Sequence, residues 1–133
     1  MEQDRQILSE LCGYDVVGFA YPCGQFDDRV CKLIKERTGI KYARTVISSG
    51  SFGPQMNLYK FNPTVYFHRE WDALFRLGEE FLSLKAEEKS VFYIWGHSFE
   101  FDIHDSWSRF EEFLQMMSGS DSICYCTNKE ALL

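Results

Sequence analysis

The run VFYIW at residues 91–95 contains no charged or strongly polar side chain. A strand that faces water on one side alternates apolar with polar residues; a continuous apolar run requires cover on both faces. The segment VVGFAYP at 16–22 reads the same way, as do KYARTVI at 41–47 and ICYCT at 123–127 in part. Between these runs the pattern changes to a helical period. Ile7, Leu8 and Leu11 share one face of a helix from Asp4 to Cys12, with Gly13 as its stop. Asp27 or Asp28 caps a second helix whose Val30, Leu33 and Ile34 form a stripe and whose end is marked by Gly39. Trp71, Leu74, Phe75, Phe81 and Leu82 mark a third, its aromatic stripe serving as core packing. DSWSRFEEFLQMM, capped by Asp105, is a fourth.

The order is therefore α-β-α-β, a long irregular connection, then α-β-α-β. Strands separated by helices predict a parallel sheet covered by helices, in an α/β fold over a single domain, residues 1–133. Chemistry in such folds gathers at the C-terminal ends of strands. The polar stretches YPCGQFDD, RTVISSG, GHSFEFD and TNKE all fall there, which puts His97 at the functional rim.

Composition narrows the partners. The net charge of −6 leaves no basic stripe to neutralise phosphates, which argues against nucleic acid and anionic membranes. No apolar run approaches the ~20 residues that cross a bilayer, and MEQDRQ has no signal-peptide pattern. Cys12, Cys23, Cys31, Cys124 and Cys126 are odd in number and lack the paired spacing of a zinc site. They read as small buried thiols in a reducing cytoplasm. FDD at 26–28 opens a helix, so capping accounts for its aspartates. Glu100, Asp102 and His104 share a face if their segment stays extended, where carboxylate and imidazole can bind metal; a hydrogen-bonded loop is the other reading. Tyr59, Phe61 and Tyr66 in the long connection form either a sugar-stacking platform or a set of pins for the loop.

In order and spacing, GFAYPCGQFDDRVCKLIKERTGIKYARTV, the PT of the long connection, FYIWGHSFEFD and TNKE resemble the C-terminal half of polysaccharide deacetylases, the NodB-like or chitooligosaccharide deacetylase family. The resemblance spans essentially the whole chain. It implies about half of an irregular (β/α) barrel and metal-dependent removal of N-acetyl groups from a carbohydrate. In that chemistry a divalent metal, usually zinc, polarises the amide carbonyl and the attacking water. An aspartate takes the water's proton and a histidine protonates the departing amine.

Carried over by residue, His97 matches the general acid. Tyr21, Pro22, Cys23 and Gly24 match the motif that walls the groove, with the Cys23 N–H directed at the oxyanion. Cys23 stands where a tyrosine is commoner, which keeps the backbone donor and loses an aromatic wall. The motif's arginine falls at Ala20, and Arg44, on the neighbouring strand, is its replacement by position. Trp95 lines the pocket floor. The family's aspartate motif and its His-x3-His metal ligands have no counterpart among His68, His97 and His104, so the chain carries no metal site of its own. It resembles the acid-bearing half of an enzyme, inactive alone and associated with a missing N-terminal half or with a second copy as a homodimer. The alternative is a non-catalytic α/β module that binds a partner or glycan.

Overall fold

The computed structural model describes residues 1–85 and 89–133. In chain order the elements are α1 (Glu2–Cys12), β1 (Gly18–Ala20), α2 (Asp28–Arg37), β2 (Tyr42–Arg44), β3 (Val65–Tyr66), α3 (Trp71–Ser83), β4 (Ile94–Trp95), α4 (Phe99–Ile103), α5 (Trp107–Ser118) and α6 (Asn128–Leu132). They fall into two compact units, one of Met1–Val46, Gln55–Asn62 and Cys126–Leu133, the other of Ile47–Pro54 and Pro63–Tyr125. Each mixes helices with a short parallel sheet, the α/β character read from the sequence. Among the described residues no helix is long and apolar enough to cross a membrane.

In the first unit β1 pairs with β2 in parallel, Gly18 beside Tyr42 and Ala20 beside Arg44. Phe61 extends the pairing by a single parallel bridge to Arg44. Its core is Tyr21, Cys31, Ile34, Ile40 and Ala43. The cap of α2 is Asp27, whose side chain accepts the Val30 N–H at 2.7 Å. The helix ends at Arg37 with Thr38 as its cap, one residue before the glycine expected to stop it. Thr38 Oγ1 donates back to the Ile34 carbonyl at 2.7 Å, which closes the last turn without glycine.

Helix α1 docks by its polar side. Arg5 Nε and Nη2 donate to the Glu2 carboxylate at 2.9 and 2.8 Å, and Arg5 Nη1 donates to the Val16 carbonyl. Glu2 in turn accepts the Gly39 N–H at 2.9 Å, and Ser9 Oγ accepts that of Val16 at 3.0 Å. The apolar stripe faces outward, with Ile7 49%, Leu8 48% and Leu11 78% exposed. An amphipathic period therefore forms the helix here but does not bury it.

In the second unit β3 pairs with β4 in parallel, Val65 beside Ile94 and Tyr66 beside Trp95. Leu74 and Leu77 of α3, Phe101 of α4, and Phe113 and Met117 of α5 close one core with Phe52, Val65 and Phe67. Trp71, Phe75 and Phe81 pack against it, as the helical stripe requires. Gly78 lets α3 and α5 approach, since a Cβ there would lie 2.8 Å from the Phe113 ring.

Three expectations change. The last strand is absent: residues 123–127 are irregular, and Val65–Tyr66, inside the long connection, supplies the strand beside Ile94–Trp95. The chain after Ile123 is committed instead to α6, through a capping box in which Thr127 and Glu130 satisfy each other's N–H groups. The pairings form two separate two-stranded sheets in place of one sheet of four. Asp105 does not cap α5; Ser106 precedes that helix, and Asp105 turns the chain at φ 47°, a conformation Asp tolerates, because α4 has already formed just before it.

Candidate functional site at the ends of strands β3 and β4

The parallel register of β3 and β4 decides where Tyr66, Trp95, His68 and His97 lie. Tyr66 and Trp95 are register partners on one face, and their rings stack at 4.4 Å between centroids. Side chains alternate along a strand, so Phe67, between Tyr66 and His68, turns to the other face and into the core. His68 and His97 each follow their strand by two residues, at the same C-terminal end. His97 is exposed, as expected for a residue at the rim.

Helix α4 brings the remaining groups. The Tyr66 hydroxyl donates to Glu100 Oε1, and Glu100 Oε2 accepts the backbone N–H of His97 at 2.9 Å. Partial burial pushes the Glu100 carboxyl up, but the Tyr66 hydroxyl, the His97 N–H and the nearby His97 and His68 imidazoles together hold it below the ordinary carboxylate range. Burial first, then the bond to Glu100, pushes the Tyr66 phenol up to about 12, so it remains a donor at neutral pH. His104, one turn beyond Glu100, stacks face to face on His68 at 3.9 Å. His68 Nδ1 is buried and has no hydrogen-bond partner among the described residues.

Because residues 99–103 are helical, Glu100 and His104 share a side while Asp102 does not. Asp102 accepts the Trp107 indole N–H at 2.7 Å. The segment is neither extended nor a loop: it is the short helix α4, which sets Asp102 apart from Glu100 and His104. Among the described residues no three His, Cys, Asp or Glu side chains come together in a way that could hold a metal ion. The stacked imidazoles present faces to each other and do not converge their nitrogens on one ion. The described residues do not fit a resident zinc.

The other residues matched by motif belong to the first unit. Tyr21 is buried, its hydroxyl donating to the Tyr59 carbonyl at 2.8 Å and lying 3.3 Å from Cys31 Sγ. Burial, then the contact with Cys31, raises its pKa; buried and with its hydroxyl satisfied, it is a packing residue. Pro22, Cys23 and Gly24 form a single 3-10 turn. Cys23 stands at φ 53°, uncommon for a residue with a side chain, and its thiol is exposed, as are those of Cys12, Cys124 and Cys126; of the five cysteines expected to be buried, only Cys31 is. Gly24 and Gln25 close the turn by donating to Tyr21 and Pro22. Arg44 lies beside Ala20 in the β1–β2 register, and donates to the Thr45 carbonyl at 2.9 Å. Position alone thus places the guanidinium on the strand next to the one where the motif would carry it.

The candidate sugar platform is committed to the fold: Tyr59 donates to the Ile40 carbonyl at 3.0 Å, Phe61 is buried, and Tyr66 is pinned between Trp95 and Glu100. Tyr66 as a partner of Glu100, and the His68–His104 stack, were not read from the sequence. Nothing in spacing signals them, since β3 lies within the connection. No family model, no curated protein and no solved structure matches the chain.

Proposed function

We propose that this chain is the acid-bearing half of a metal-dependent carbohydrate N-deacetylase with a barrel-derived fold. The observation that carries the reading is His97, exposed two residues beyond a parallel strand, on a turn held by Glu100. An imidazole so placed can reach a departing amine and deliver a proton to it. The order of the YPCG, WGHSFEFD and TNKE segments supports the same reading, as does Arg44 beside Ala20. The residues that activate water, and the zinc ligands, would come from another polypeptide segment. The substrate is an N-acetylated carbohydrate, and the setting is a reducing cytoplasm in which Cys12, Cys23 and Cys124 stand exposed as thiols.

The test is acetate release from N-acetylated chito-oligosaccharides, with and without zinc. The chain alone is expected to be inactive, because losing the activated nucleophile removes many orders of magnitude of rate. Acetate release by the isolated chain that His97→Ala abolishes would overturn the half-enzyme assignment.

A specific observation favours a second reading, a non-catalytic partner-binding module. The apolar face of α1 points outward and is fit for association. Homodimerisation through that face is compatible with either reading.

A further inference from the structure

We infer that Glu100 is a positioning residue for His97, with Tyr66 as the anchor that holds Glu100 in place. The inference rests on the reading of His97 as the general acid. An imidazole on an exposed turn samples many positions unless its backbone is fixed. Here both sides of the turn are closed. The Glu100 carboxylate accepts the His97 N–H at 2.9 Å, and the Glu100 N–H donates to the His97 carbonyl at 3.1 Å. Glu100 thus reaches back three residues, to the residue before the Ser98 cap of α4.

The second carboxylate oxygen takes the Tyr66 hydroxyl, which ties the turn to β3 as well as to β4. Tyr66 is itself immobilised by its stack on Trp95. The His97 ring then lies between Trp95, at 5.9 Å, and Phe99, at 5.3 Å between centroids. Only its side-chain torsions remain to be set. The charged and titratable groups around the clamp are Glu100 itself, the His97 and His68 imidazoles, and Arg69, which acts on Tyr66. His104 faces His68 from the end of α4.

The His97 backbone amide reports on the clamp directly, by NMR of the full chain. In the wild-type protein its resonance is expected to shift in acid as Glu100 titrates, below the ordinary carboxylate range. In Tyr66→Phe that inflection moves to higher pH, because one donor to the carboxylate is lost. In Glu100→Gln the inflection disappears while the slow hydrogen exchange of the amide persists, since the amide oxygen still accepts the bond. In Glu100→Ala exchange at His97 accelerates by about tenfold, the scale of one net hydrogen bond. A purely packing role for Glu100 would not produce the pH inflection, nor the slow exchange that glutamine keeps and alanine loses.

An unmoved inflection in Tyr66→Phe, or unchanged exchange in a folded Glu100→Ala, overturns the inference. If Glu100→Ala does not fold, Tyr66→Phe and Glu100→Gln decide alone. The general-acid reading fails separately: deacetylation by the assembled enzyme that survives His97→Ala would sink it and leave the clamp intact.

Discussion

Phe67 and Phe101 stack in parallel, with ring centroids 4.3 Å apart and planes within 3°. The flat pair joins the end of β3 to α4, and Gly96 backs onto the Phe67 ring so closely that a Cβ would overlap it. With Phe101 on one face and Phe110 and Trp71 around it, the ring has little room to move. Gly96→Ala is therefore expected to destabilise the protein by about 1–3 kcal/mol, as overpacking does. Urea unfolding should show a lower midpoint with unchanged slope; an unaltered midpoint would contradict the packing.

Phe113 and Leu114 are neighbours on α5 with opposite fates, 1% and 45% exposed. Phe113→Ala empties the centre of the second core and should cost about 3–5 kcal/mol. Leu114→Ala should stay within about 1 kcal/mol, since little of its packing is internal. Comparable losses in the two variants would mean that α5 is turned differently about its axis.

Glu2 ties α1 to Gly39, two residues past the end of α2. Its hydrogen bonds from Arg5 and Gly39 lower its pKa from 4.5 to about 2. A carboxyl held below its unfolded value stabilises the fold fully above that unfolded value and loses the contribution as pH falls through the folded one. Acid should thus loosen α1 between about pH 4.5 and pH 2. Glu2→Gln should remove that part of the pH dependence. Circular dichroism melts from pH 6 to pH 2 that fall in parallel for both proteins would refute it.

If α1 joins two copies, light scattering at micromolar concentration should give about twice 15.6 kDa. The double substitution Leu8→Glu, Leu11→Glu should return the monomer with little change in melting temperature, because neither side chain is buried in its own unit. A monomeric wild-type protein would remove the homodimer from the proposal.

Much of the organisation was legible from local pattern. The helical stripe of α3, the Asp27 cap of α2, the Gly13 stop of α1 and the two apolar runs that became β1 and β4 each follow from residues close in sequence. His97 at the rim was legible too, because a strand end fixes what comes two residues later. Thr127 and Glu130 carry a capping-box signal, but ICYC alternates just before it, and that alternation predicts a strand end. The clamp on His97 was hidden, because Tyr66 belongs to a two-residue strand whose partner lies far along the chain.

By itself, the sequence determined the helices α1, α2, α3 and α5, because periodicity and capping act within a few residues. Only tertiary structure decided that Val65–Tyr66 would pair with Ile94–Trp95, that Glu100 would meet Tyr66, and that α1 would dock by Arg5 and Glu2. Those choices depend on register and on which buried polar groups find partners. An apolar stripe shows that a helix has an apolar face, but not which face its neighbours take.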